Sequence, residues 1–284
     1  MSVLRGLGPL TRAYLLQSFR SKTALFWNVG FPLLWLFLYG FVFARGNDVS
    51  LFIPGLFSIT IISGAFFGVS YLMVSEREAG ILRRYRVTPV SPLTLVLANG
   101  IRALVTMSMS LLVQASVGWL VFRFTVNGSL LLTALMMLMG AVAFVPLGLL
   151  VGSIAQDMRT APAINNLIFF PMVFATGAAF PFFMLPSWVQ FIGRMLPSAY
   201  LVELLQGVML RGEGILQLIG PLTVLILTAV VGALVNSWVF RWESSQPLDK
   251  TKLLLAIAAL LVLFLGAALL APAFGMAQPP PGVS

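Results

Sequence analysis

The chain has 284 residues, 60% of them hydrophobic and only 9% charged, with a mean hydropathy of +1.02. Soluble domains run about 45–50% apolar and about 25% charged, so the composition excludes a sizeable soluble domain and predicts a single polytopic membrane domain. The net charge of +9 points to basic loops at an anionic membrane face rather than to nucleic acid, and the lack of cysteine and histidine excludes disulfides, thiol chemistry and the usual zinc ligands.

Residues 3–20 form a separate first element. Leu4, Leu7, Leu15 and Phe19 fall on one helical face, and Arg5 and Arg12 on another, with Arg20 flanking them. This pattern predicts an amphipathic helix lying in the membrane interface, and the scattered arginines predict no cleavable signal peptide. A membrane span needs about 20 mostly apolar residues, and seven runs qualify: 24–44, 52–74, 103–122, 130–155, 162–180, 216–240 and 253–274. Arg45, Asn47 and Asp48 close the first run, and Gln156, Asp157 and Arg159 close the fourth. With the N-terminus inside, the cytosolic side holds 13 of the 17 basic residues, and the outside only Arg45, Arg123, Arg194 and Arg211. That asymmetry predicts a cytosolic N-terminus, and seven spans then put the Pro-rich tail, residues 278–284, outside.

Between the second and third runs lies the densest polar segment, residues 75–92, SEREAGILRRYRVTPVSP. Ser75 or Glu76 is expected to start a short helix, with acids in its first turn favoured by the helix dipole. Ile81, Leu82 and Tyr85 would share an apolar face, Arg83 and Arg86 would lie away from it, and Thr88-Pro89 and Ser91-Pro92 would end it. Such a two-faced cytosolic helix, anchored to two spans, suits docking of another protein as well as contact with anionic lipid.

Downstream, residues 181–214 are too broken by Pro181, Pro186 and Pro197 to be one span. Residues 189–195 and 200–210 are expected to be two short helices dipping into the outer leaflet, with Trp188 and Tyr200 suited to the interface. Glu203 sits in the apolar stretch YLVELLQGVML, where an unpaired charge is costly, and Arg194 or Arg211 is its expected partner. Among polar residues inside the spans, Asn28, Gln114, Asn165, Asn166 and Asn236 are expected to make interhelical hydrogen bonds. Thr176, with Phe170 and Phe174 on the same predicted helix, is the candidate lining of a pathway for an amphiphilic or lipid-like substrate.

Chemistry is scarce. The only lysines are Lys22, Lys250 and Lys252, none following a glycine, so there is no P-loop for nucleotide phosphates. No metal-ligand cluster and no nucleophile motif is present, and a metal site is not expected.

The insert E-R-E-A-G-I-L-R-R-Y-R-V-T-P-V-S-P resembles the coupling-helix loop of ABC-2 type permeases, the membrane subunits of ATP-binding-cassette exporters. A second match carries the likeness: Phe170-Pro171, Thr176-Gly177, Phe180-Pro181, Leu185-Pro186-Ser187-Trp188, Leu196-Pro197 and Tyr200 resemble the family's F-P…S-G…F-P…L-P-x-W…P-x-x-Y run. The likeness spans residues 1–243. Ile81 and Arg83 stand where the family often has a threonine and an acid, and Ala98-Asn99 where it has G-K.

The resemblance implies an all-α fold, with an interfacial N-terminal helix, six core membrane helices and re-entrant helices before the sixth; the run at 253–274 departs from the family's six and is expected as an extra C-terminal span. It implies no catalysis on this chain, with ATP and magnesium bound by a separate ATPase. That partner would dock on Glu76, Arg77, Glu78, Gly80, Ile81, Leu82, Arg83, Arg84, Tyr85, Arg86, Thr88 and Pro89. A second permease copy or similar paralogue, membrane lipids and a location in the cell inner membrane complete the expectation. A self-sufficient channel or secondary carrier is the first alternative. An intramembrane lipid-modifying enzyme is the second, disfavoured by the missing His and Cys and the scarcity of paired carboxylates.

Overall fold

The computed structural model describes residues 4–43, 49–82, 92–239 and 249–271. They form ten helices with no strand among the described residues. Helix α1 is Leu4–Arg20, and α2 is the helical run that begins at Lys22–Leu25 and ends at Tyr39–Phe43. Helix α3 is Ile53–Glu78, α4 Pro92–Phe122, α5 Leu130–Ile154 and α6 Ala161–Phe174. The short α7 (Ser187–Arg194) and α8 (Pro197–Met209) precede α9 (Ile219–Val239) and α10 (Lys250–Leu270). Helices α3, α4, α5, α9 and α10 are long and apolar enough to cross a membrane, whereas the apolar parts of α2 and α6 are shorter.

Local chemistry sets several of these limits. The Ser129 hydroxyl accepts the Leu132 amide at 3.3 Å at the start of α5, and the Asp249 carboxylate accepts the amides of Thr251 and Lys252 at the start of α10. Helix α3 forms the centre of the bundle. Its first three turns, Ile53–Ser63, are wholly buried, and Phe57 and Phe66 meet a core built from Tyr39, Phe144, Leu201 and Leu205. Gly148 lets α5 approach α3 closely, because a Cβ there would lie 2.3 Å from the Ala65 carbonyl oxygen. Helix α10 lies against α9 through Ala256, which clusters with Val235 and Val239.

Three expectations change. Helix α4 starts at Pro92 rather than at 103, because Arg102 is buried inside the helix instead of marking its edge. Helix α6 ends at Phe174 rather than at 180; at 1.5 Å per residue it is about 21 Å long, short of the hydrocarbon thickness. The face of α1 also turns. Its buried stripe is Leu10, Tyr14 and Ser18, packed on Leu95 and Ala98 of α4, while Phe19 is exposed. Tyr14 and Ser18 are polar, so an apolar stripe search passes over them, yet both have partners inside the protein.

Candidate coupling site and transport path

The acidic start of the 75–92 insert is the end of a helix. Ser75 lies within α3 and donates its hydroxyl back to the Leu72 carbonyl, so neither it nor Glu76 caps a new helix. The run stops because Gly80 adopts φ +68°, a left-handed conformation that glycine takes at no steric cost, with its amide donating to the Arg77 carbonyl at 3.1 Å. Glu and Arg are good helix formers, so the apolar helix simply continues through Ser75–Glu78 until this glycine.

Three successive charges then leave the end of α3 in three directions. Glu76 is buried and accepts a 3.0 Å hydrogen bond from the Tyr14 hydroxyl of α1. Arg77 is buried and donates to the Ser153 carbonyl at 3.4 Å and to the Ala155 carbonyl, both at the end of α5. Glu78 accepts the Met158 amide at 3.2 Å in the loop before α6. A fourth charge braces them from α4. Arg102 donates to Asn99 at 2.9 and 3.1 Å, to Ser18 of α1 at 3.3 Å, and to the Gly68 carbonyl of α3 at 3.4 Å. The root of the insert is therefore tied to α1, α4, α5 and the next loop.

Of the proposed docking residues, Glu76 and Arg77 face inward, Leu82 is buried, and Glu78 and Gly80 lie near the surface. Arg83, Arg84, Tyr85, Arg86, Thr88 and Pro89 lie outside the described residues. The second loop on this face is self-ordered. Asp157 accepts the amides of Thr160 at 2.8 Å and Arg159 at 3.0 Å, plus the Thr160 hydroxyl at 3.0 Å. The Thr160 amide first, then its hydroxyl, holds the exposed Asp157 carboxyl below its usual range.

At the opposite face, α8 is almost wholly buried, as a helix dipping into the bundle must be. Pro197 stands at its first position and Tyr200, fully enclosed, donates its hydroxyl to the Arg194 carbonyl at 2.8 Å. Glu203 pairs with Arg211, which also meets Glu213 at 2.6 Å; of the two partners considered for Glu203, this is the one the fold supplies. The loop between α4 and α5 clasps the end of α8, where the Asn127 amide donates to the Met209 carbonyl at 2.9 Å and its side chain to Leu210 at 2.8 Å. Before α8, Pro181 is buried and Pro186 exposed, and α7 leaves Trp188, Phe191 and Ile192 exposed as an apolar surface.

Helix α6 leaves Phe170 (50%) and Phe174 (42%) exposed, their rings stacked with centroids 6.1 Å apart. The aromatic row continues inward to Phe169 and Phe67, 5.0 Å apart, and onward to Phe180. Thr176 does not join it. It lies beyond the end of α6, is buried, and turns its hydroxyl to the Met172 carbonyl. Asn166, on the exposed side of α6, lies on that face instead.

Residues 7–210 match the ABC-2 type transporter family. The chain belongs to that family. Among similar proteins, the inner membrane transport permease YhhJ of Escherichia coli is 26% identical over 177 residues, 61% of this chain and 46% of that protein. Transport permease YvfS of Bacillus subtilis is 27% identical over 191 residues, 63% of this chain and 75% of the relative. A third relative, from Escherichia coli and named a probable multidrug ABC transporter permease, YbhR, is 21% identical over 184 residues, 64% of this chain and 50% of the relative. This ABC-2 chain thus spans about half the length of YhhJ, the first of these relatives. The match ends at α8, so α9 and α10 lie beyond it. Within the matched region, Tyr14 is the residue that motif reading passed over, and Arg102 stood out only as a charge near the position of the family's G-K. The signal for Arg102 was a lone charge inside an otherwise apolar helix, which the bilayer tolerates only with partners.

Proposed function

We propose that the chain is the membrane-spanning permease subunit of an ATP-driven exporter and that a separate ATP-binding-cassette ATPase docks on residues 79–92 and on the loop at 156–160. The observation that carries this reading is the root of the insert, where Glu76, Arg77 and Glu78 tie one segment to α1, α5 and the neighbouring loop. A push on the insert would then move the bundle as a body, while the chain itself holds no phosphate-binding loop. Two copies, or this chain and a paralogue, would face each other across the exposed aromatic side of α6, because Asn166 there has no reason to face hydrocarbon. The stacked Phe170 and Phe174 suit an amphiphilic substrate, drug-like, lipid or glycan-linked. The N-terminus is cytosolic and the membrane is the cell inner membrane, in line with the distribution of basic residues.

The test is reconstitution with the ATPase that purifies with the chain. Replacing Arg83, Arg84 and Arg86 together by alanine is expected to leave insertion and folded yield unchanged, and to abolish both ATPase co-purification and substrate-stimulated ATP hydrolysis. Movement of a fluorescent amphiphile by the lone chain in liposomes, driven by an ion gradient, would overturn the proposal in favour of a carrier.

A further inference from the structure

A second site lies away from the aromatic row. Helices α4, α5 and α9 enclose an apolar cavity of about 550 Å³ on the face that carries α1, walled by Val96, Gly100, Val145, Pro146 and Ala233. Its mouth opens sideways between Leu97, Ile101 and Val142, which are exposed and so face the bilayer rather than the aqueous loops. Its size falls in the range of about 300–1,000 Å³ typical of sites for small organic ligands.

Two polar side chains line this otherwise apolar space, and one of them, Ser237, turns its hydroxyl back to the Leu234 carbonyl at 2.6 Å. Asn236, 3% exposed, lines the cavity, and its side-chain oxygen accepts the Ser153 hydroxyl at 3.3 Å. That bond occupies the amide oxygen, and among the described residues no hydrogen bond engages the amide nitrogen. A buried amide N–H donor is satisfied by a carbonyl, and in hydrocarbon the abundant carbonyls are the esters of glycerophospholipids. Asn236 stands in the last turn of α9. Lys250 and Lys252, exposed at the start of α10, offer positive charge complementary to an anionic headgroup.

We propose that this cavity is a binding site for one acyl chain of an anionic glycerophospholipid, with Asn236 donating to its ester carbonyl. The lipid is a resident of the fold and not cargo on the aromatic path, so the site does not depend on how the transporter is energised.

The test uses the full chain in phosphatidylcholine nanodiscs doped with phosphatidylglycerol that carries a photoactivatable diazirine in one acyl chain. Cross-links are expected on Gly100, Val145 or Ala233. The ester-linked probe should label about tenfold more than its ether-linked counterpart, the discrimination one buried hydrogen bond provides. Asn236→Leu should erase the ester preference. Gly100→Leu, where an added Cβ meets only Val145 at 3.7 Å, should fill the cavity and remove the cross-links with the fold intact. Equal labelling by ester and ether probes, or labelling unchanged in Gly100→Leu, overturns the site. Equal labelling by the phosphatidylcholine version of the probe overturns its anionic specificity.

Discussion

Tyr14, Glu76 and Arg102 illustrate what a buried charge requires. A carboxylate and a guanidinium taken out of water are tolerated only when their hydrogen bonds are supplied, and here a phenol, an amide side chain, a hydroxyl and a backbone carbonyl supply them. Tyr14→Phe removes one donor to a buried carboxylate. It is expected to destabilise the folded chain by about 1.5–3 kcal/mol, the range for hydrogen bonds to charged groups. A double-mutant cycle with Glu76→Gln, followed by unfolding in mixed micelles, measures the coupling; additive effects would mean that the two side chains do not interact. None of this was legible in the periodicity. Glu76 and Arg77 stood out in the sequence as charges between two apolar runs, and were expected in the docking surface. The pattern could not say that the preceding helix carries them inward, because the stop at Gly80 is a backbone property and the partners lie on α1 and at the end of α5.

At the scale of elements, the sequence was most legible where one rule acts alone. The apolar run predicted at 130–155 is α5, Leu130–Ile154, and both short outer helices are where proline and tryptophan punctuation put them. It was least legible where a helix is held by neighbours, as with the polar anchor of α1 and the early break of α6. Close packing makes one element-level prediction. Gly148→Ala puts a Cβ against the Ala65 carbonyl of α3, and a backbone oxygen in the bundle centre cannot swing away. A loss of about 1–3 kcal/mol is expected from overpacking, read as a lower thermal midpoint in detergent. Gly8→Ala, where nothing lies within 4 Å of the added atom, is the control and should be neutral. The loop at 156–160 makes another. Its carboxylate is held below the usual range by the Thr160 and Arg159 donors, so the ionised form orders the loop. That contribution is present above the ordinary Asp range and is lost as pH falls through the lowered value. Relative to its intrinsic rate at each pH, amide exchange at Thr160 should therefore accelerate in acid in the native chain. In Asp157→Ala it should be fast already at neutral pH.

For the whole molecule, the decisive asymmetry is charge. The face formed by α1, the end of α3 and the 156–160 loop gathers most of the basic residues, and the opposite face, with α7 and α8, holds few. An anionic cytosolic leaflet and the retention of Lys and Arg during insertion both act on that difference, and in the proposed orientation the same asymmetry would present the insert to a soluble ATPase. The chain has no cysteine, which makes each introduced one a unique reporter of side. Met158 and Gly214 are exposed on opposite faces, clear of the buried networks. In intact cells, a membrane-impermeant maleimide is expected to label Gly214→Cys and to reach Met158→Cys only after the membrane is opened. The reverse pattern would invert the topology and remove the insert from any cytosolic ATPase. A cysteine at Ser284 extends the experiment to α10. With seven crossings it follows Gly214→Cys, and labelling with Met158→Cys instead would mean that Lys250–Leu270 does not cross.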